Sequence, residues 1–108
     1  MSLTTGMAVS LMLRRTQDVG GFATVLYKGG AENGGILVIC ADRGVPAALM
    51  ERQLGVNFTY EWRATGPDSP EKWADYVAAR HKSDPDLWVI ELDVTDSQRF
   101  VAENFAFD

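Results

Sequence analysis

Two carboxylates near the end of the chain have the spacing that acid–base chemistry needs. Glu91 and Asp93 lie two residues apart in an apolar segment, residues 87–94, that is predicted to be a strand. Alternate residues of a strand share one face, which would place the two carboxylates roughly 7 Å apart. Paired carboxylates at that separation can act as general acid and base or hold a metal ion. Asp84 and Asp86 lie just upstream and could add oxygen ligands for a hard cation.

The same four carboxylates are also explained without a site. Aspartates are common at the corners of turns, and the polar end of a strand is normally solvated. None of the spacings matches a calcium-binding loop, and no histidine accompanies the four residues. We therefore predict neither a metal site nor a cofactor. Asp84, Asp86, Glu91 and Asp93 remain the weak catalytic candidates of an enzymatic alternative.

Cys40 and His81 could in principle form a nucleophile and its base, since the chain has one residue of each type. Cys40 lies in an apolar segment, where a thiol behaves as a small buried hydrophobe rather than as an activated nucleophile. His81 lies between Arg80 and Lys82 near the predicted end of a helix, where positive side chains complement the helix dipole. His81 is thus a further weak candidate for a general base, and a structural role is the simpler interpretation of both residues.

Two further groups have both a functional and a structural interpretation. A glycine-rich segment could cradle a phosphate, but it matches neither the P-loop nor the Gly-x-Gly-x-x-Gly pattern and precedes a strand rather than a helix. Three tryptophans could line a ligand pocket, although a small core built around indole rings is the commoner explanation. The glycines are Gly29, Gly30, Gly34 and Gly35, and the tryptophans are Trp62, Trp73 and Trp88.

Length and charge bound the class of protein. The 108 residues predict a single α+β domain over residues 1–108. A net charge of −5, with scattered basic residues, disfavours nucleic acid as a partner. The apolar run at residues 7–13 is too short to span a bilayer, and no basic residue precedes it as in a signal peptide. A single cysteine allows no intramolecular disulfide, so we expect a cytoplasmic protein with no membrane partner.

Periodicity predicts two helices. The first covers residues 5–17, because Leu3, Met7 and Leu11 recur at the spacing of one helix face. The second begins at Ser69, a suitable N-cap, and ends near residue 82. Residues 96–107 could be a short helix or a final strand.

Strands are predicted at residues 22–28, 36–41, 58–65 and 87–94, and residues 47–53 could be strand or helix. Asn33-Gly34 is a strong turn dipeptide and predicts a hairpin between the first two strands. Short connections between successive strands favour antiparallel pairing. The predicted class is α+β: a small antiparallel sheet of four to five strands, an N-terminal helix and one helix before the last long strand, in the order α-β-β-(β)-β-α-β.

Four segments resemble a family of small alphaproteobacterial proteins, the domain of unknown function 1491 family. The sequence Asp-Pro-Asp-Leu-Trp at residues 84–88 is the most specific part of the resemblance. The segments are Leu13-Arg14-Arg15, Gly21-Phe22-Ala23-Thr24-Val25, Lys28-Gly29-Gly30-Ala31-Glu32-Asn33-Gly34-Gly35-Ile36 and Asp84-Pro85-Asp86-Leu87-Trp88-Val89-Ile90-Glu91. The resemblance implies a bacterial origin and supports the fold, and it implies no activity, cofactor or catalytic residue.

The two predicted hairpin strands are apolar on both faces. One set of alternate positions holds Phe22, Leu26, Ile36 and Val38, and the other holds Val25, Tyr27, Leu37 and Ile39. An antiparallel sheet of a small domain usually leaves one face to water, so these strands need additional cover. A second copy of the chain would supply it, and a homodimer is therefore predicted. The tail could supply the cover instead, through Phe100, Val101, Phe105 and Phe107.

The favoured function is a non-catalytic interaction or regulatory domain that self-associates. One alternative is a small hydrolase-like or metal-dependent enzyme that uses the acidic residues. The other is a small-ligand sensor with an aromatic pocket, for which a cavity beside Trp62 or Trp88 would be the sign. We lean against an enzyme.

Overall fold

The computed structural model describes residues 3–105, which form five strands and three α-helices. The elements are α1 (Thr5–Asp18), β1 (Phe22–Tyr27), β2 (Ile36–Asp42), β3 (Val45–Leu54), β4 (Tyr60–Ala64), α2 (Trp73–Ser83), β5 (Trp88–Asp93) and α3 (Ser97–Asn104), with a 3-10 turn, Pro70–Lys72, before α2. The predicted α+β class is confirmed. Residues 47–53 prove to be strand and residues 97–104 helix, and the end of the undecided tail, including Phe107, lies outside the described residues.

The predicted hairpin between β1 and β2 is wrong, because β5 lies between these two strands. The strand order is β1-β5-β2-β3-β4. β5 pairs antiparallel with β1 and parallel with β2, so the sheet is mixed rather than antiparallel throughout. The β2–β3 and β3–β4 pairs are antiparallel, as expected for consecutive strands with short connections.

The burial of β5 explains its position. Its residues are buried on both faces, except for the partly exposed Glu91 and Asp93, and such a strand belongs in the interior of a sheet. The inserted strand separates β1 from β2 by about 10 Å. Residues 28–35 cross this gap as a wide loop, so Asn33-Gly34 belongs to that loop rather than to a tight hairpin turn.

The helices cover the two faces of the sheet unequally. Helices α1 and α3 pack on one face, here called the α1/α3 face, and α2 packs on the other, the α2 face. The α1/α3 core includes Ala8, Val9, Met12, Ile36, Val38, Cys40, Met50, Trp88, Ile90, Leu92, Val101 and Phe105. The α2 core consists of Leu37, Ile39, Leu49, Trp73, Val77, Leu87 and Val89. A helix about 10 Å wide cannot cover five strands that span about 19 Å, so part of the α2 face stays open.

An ion pair fixes α2 on the sheet. Both terminal guanidinium nitrogens of Arg80 donate to the carboxylate of Glu51 on β3, at 2.7 and 3.0 Å. The hydrogen bonds that Arg80 donates to Glu51 raise the pKa of Arg80 above its ordinary value. Because the pair is two-pronged and partly buried, it sets the rotation of α2 as well as its position.

Helix α1 begins where predicted, with the Thr4 hydroxyl accepting a hydrogen bond from the Met7 amide at 3.2 Å. Its apolar row does not face the sheet, however: Met7 is 56% exposed, and Leu3 and Leu11 are only partly buried. The buried residues are instead Thr5, Ala8, Val9, Met12 and Thr16. Met12, together with small and β-branched residues, packs α1 closely on the sheet, whereas Met7 points outward.

The strand predicted at residues 58–65 begins later, at Tyr60. Phe58 has a positive φ of 60° and is 81% exposed, so it belongs to the turn before the strand. Across residues 3–105, each helix falls short of the length and apolar character needed to traverse a bilayer.

Candidate functional site

The four candidate carboxylates lie at the two ends of β5 and do not converge. Asp84 and Asp86 precede the strand, and Glu91 and Asp93 lie in its second half. Within residues 3–105, no three acidic, histidine or cysteine side chains come together in a group that could hold a metal ion.

Asp84 and Asp86 shape the connection between α2 and β5. The Asp84 amide donates to the Arg80 carbonyl at the end of α2, and the Asp84 side chain accepts a hydrogen bond from the Asp86 amide at 3.2 Å. The backbone carbonyl of Asp86 accepts from the Gly30 amide at 2.8 Å. These contacts are those of an aspartate-containing turn.

The glycine-rich loop is a packing surface for this same connection. A Cβ on Gly29 or Gly34 would overlap the backbone carbonyl of Asp86, so the two segments can approach only where side chains are absent. The Trp88 indole then donates to the Gly30 carbonyl at 2.8 Å. The two longest segments of the family resemblance are thus the two sides of one contact, which accounts for the glycines without a phosphate.

The Asp93 carboxylate holds the turn between β2 and β3. Its two oxygens accept hydrogen bonds from the amides of Arg43 and Gly44, each at 2.8 Å. Both turn residues have positive φ, which a two-residue hairpin of type I′ requires. Because both of its oxygens accept hydrogen bonds from these backbone amides, Asp93 has a structural role. It does not form a functional pair with Glu91.

His81 and Cys40 belong to different faces of the sheet. The His81 ring stacks on Tyr27 at 4.8 Å between centroids, and its Nε2 lies 3.2 Å from the Lys28 carbonyl oxygen. Cys40 is fully buried in the α1/α3 core. Burial raises the pKa of the Cys40 thiol to about 12. The hypothetical nucleophile–base pair is therefore not formed.

We expect Cys40 in the native protein to react with a thiol reagent at least a thousandfold more slowly than in denaturant. The thiolate is the reactive form, and raising the pKa from 9.0 to about 12 lowers the thiolate fraction about a thousandfold at pH 8. Burial slows the reaction further. The rate of thiol labelling at pH 8, with and without guanidinium chloride, measures the ratio. Comparable rates would show that the thiol is accessible.

All three tryptophans tie separate parts of the chain together through a hydrogen bond from the indole ring. Each indole N–H donates to a backbone carbonyl at 2.8 Å: Trp62 to Phe105, Trp73 to Pro67 and Trp88 to Gly30. Trp62 and Trp88 pack against the α1/α3 core and Trp73 belongs to the α2 core. The indoles are thus spread through the domain rather than gathered around one pocket.

The uncovered part of the α2 face forms an open groove of about 460 Å³. We call it the β1–α2 groove, and its lining is Leu26, Tyr27, Ile39, Pro46, Pro70, Trp73, Ala74, Val77 and Glu91. Glu91, half-buried, is its one charged residue. Sequence analysis did not find this groove because four strands, the 3-10 turn and α2 all contribute to it, although it did single out Glu91 as a charge in the apolar strand β5.

The second open feature is the edge strand β1. It forms one edge of the sheet, with β5 as its neighbour. Phe22 is 76% exposed, and Val25 and Leu26 are about two-fifths exposed. β2, in contrast, lies inside the sheet and is covered on both faces, partly by Val101 and Phe105 of the tail. Only the β1 part of the predicted apolar surface therefore remains uncovered.

A mixed five-stranded sheet between two helical layers, with an open groove on the α2 face and an apolar edge strand, is the class of domain that these features define. The chain belongs to the family described as "Protein of unknown function (DUF1491)", whose model matches residues 3–102. The resemblance predicted from the sequence is thus confirmed. No curated protein matches the chain.

Solved structures of the family have the same fold. A crystal structure of a DUF1491 family protein from Caulobacter crescentus CB15 is 32% identical over 85% of this chain and 88% of that chain, with a TM-score of 0.73. An NMR structure of a DUF1491 family protein from the same organism is 34% identical over 86% of this chain and 86% of that chain, with a TM-score of 0.74. The solution structure of protein Atu0922 from A. tumefaciens is 29% identical over 87% of this chain and 87% of that chain, with a TM-score of 0.69. These organisms agree with the predicted bacterial origin.

Proposed function

We propose that this protein is a non-catalytic interaction domain that self-associates through the outer edge of β1. The observation that carries the proposal is the exposed apolar surface of this strand. Phe22–Tyr27 contains no charged residue and no proline, which are the usual protections of an edge strand. The β-bulge between Val25 and Tyr27 interrupts only the end of the strand, so the edge before it presents unpaired backbone groups and apolar side chains that a second strand can bind.

The sequence of β1 suits pairing with a second copy of itself. Phe22, Thr24 and Leu26 belong to the α2 face, whereas Ala23 and Val25 pair with core residues of β5 on the other face. In an antiparallel pair centred on Thr24, Phe22 of one copy lies opposite Leu26 of the other. Ala23 then lies opposite Val25. Such a pair is isologous, aligns apolar residues on both faces and would produce a ten-stranded sheet.

The enzymatic alternative has less support. Asp93 is occupied by the amides of Arg43 and Gly44, and Asp84 by the amide of Asp86. Glu91 lines the β1–α2 groove, and Asp93 lines another groove of about 490 Å³ beside the β2–β3 turn, where its oxygens already accept from the turn amides. We therefore assign no catalytic residue.

The test is the mass in solution at tens of micromolar, measured by light scattering coupled to size exclusion. We expect a dimer, and Thr24→Lys should weaken it at least about tenfold because two lysines would face each other across the two-fold axis. In the monomer, the new lysine would lie opposite Glu91 of β5, so the fold should be retained. Far-ultraviolet circular dichroism checks this.

The control is Val56→Lys, the same new charge in place of an apolar side chain that is 96% exposed outside β1. It should leave the dimer unchanged. A monomeric wild-type protein at this concentration contradicts the proposal, as does equal weakening by both substitutions.

A further inference from the structure

Beyond self-association, we propose that the β1–α2 groove binds a small organic cation, with a protonated amine on an apolar body. In this site Glu91 is the counter-ion, and the apolar residues around it hold the body of the ligand. The site is separate from the outer edge of β1, although Leu26 borders both.

The charge of the groove selects a cation. Glu91 lies on an interior strand, between Thr24 of β1 and Ile39 of β2. Among residues 3–105, no side chain forms a hydrogen bond or ion pair with its carboxylate. The other eight lining residues are apolar or aromatic. A half-buried carboxylate with no donor from the protein is free to accept one, and an ammonium group supplies both the opposite charge and the donors.

The size and walls of the groove indicate a small ligand. A volume of about 460 Å³ is within the range of small-molecule sites, about 300–1,000 Å³. Trp73 and Tyr27 contribute aromatic rings to its walls. The indole N–H of Trp73 is already bound to the Pro67 carbonyl, so this residue offers the ligand apolar surface rather than a donor. An apolar body with one positive group matches this arrangement.

The experiment is an NMR titration of the ¹⁵N-labelled chain with 2-phenylethylamine, compared with 2-phenylethanol and 3-phenylpropionate. These probes share the phenyl body and differ in charge. We expect saturable shifts at residues of the groove for the amine, with Kd of about 1 mM or tighter, as a small ligand allows. The neutral and anionic probes should bind at least about tenfold more weakly.

Two variants and one control separate the charge from the cavity. Glu91→Gln keeps the shape and should weaken amine binding at least about tenfold. Ala74→Phe fills the groove from an exposed helix position and should also abolish the shifts, whereas Glu103→Gln, the same change on the distant α3, should have no effect. Equal binding of the three probes, or undiminished amine binding by Glu91→Gln, would overturn the proposal. Neither result depends on the mass of the protein, so the outcome is independent of the dimer test.

Discussion

Gly34→Ala is expected to destabilise the domain by about 3 kcal/mol or more, as forced overpacking does at its upper range. The added methyl group would overlap the Asp86 carbonyl, which is backbone and cannot rotate away. Relieving the overlap moves the loop, and with it the Gly34 carbonyl that accepts a hydrogen bond from the Thr5 hydroxyl at 2.9 Å. One methyl group would therefore disturb the contacts of both β5 and α1. Urea denaturation followed by tryptophan fluorescence measures the loss.

Gly35→Ala is the matched control, because it makes the same change one residue further along. A Cβ at Gly35 would lie 3.1 Å from the Cδ1 atom of Leu87, the end of a side chain that can shift. We expect a loss of about 1 kcal/mol or less, partly offset by the lower entropy of the unfolded alanine chain. Equal stability of Gly34→Ala and the wild type would show that the loop and the β5 connection are not in close contact.

The element types were largely predictable, because they follow from local chemistry. Thr4 caps α1, and Arg15 lies in its last turn, as the sequence signals indicate. Alternation placed β4 correctly, apart from Phe58 at its start. These features depend on a few neighbouring residues, whose contributions to a helix or strand do not require the rest of the fold.

The order of the strands was not predictable in the same way. The Asn33-Gly34 dipeptide favours a hairpin locally, but the burial of β5 on both faces requires it to lie inside the sheet. The burial of β5 prevails over the turn preference because it involves the apolar surface of a whole strand rather than one turn. The contact of residues 29–35 with Asp86 follows from that order and could be found only from the fold.

Only one residue of the candidate site, Glu91, could be identified from the sequence. Glu91 stands out in the sequence as a charge in an apolar strand, but the spacing argument joined it to Asp93. The structure separates the two carboxylates by their partners, since Asp93 binds the amides of a distant turn and Glu91 faces the groove. The groove exists because one helix covers one part of a five-stranded face, a consequence of packing that no local pattern expresses.

Phe105→Ala is expected to cost about 3–5 kcal/mol, the usual range for removing a buried phenylalanine ring. Phe105 is fully buried in the α1/α3 core, although it follows the last helix of the chain. Its ring meets that of Phe100 edge to face at 5.4 Å, and its carbonyl accepts the Trp62 indole N–H at 2.8 Å. Losing the ring would leave a cavity under α3 and loosen its attachment to β4.

The result decides how much of the core the tail supplies. Phe22→Ala removes the same ring from a site that is 76% exposed, and its cost should be within about 0.5 kcal/mol in the same urea experiment. The comparison is made below the concentration at which the protein dimerises, because Phe22 lies on the proposed interface. If the two substitutions cost the same, α3 is not an essential cover of the sheet. If only Phe105→Ala is costly, the tail protects the α1/α3 face within one chain, and β1 alone is left for a partner.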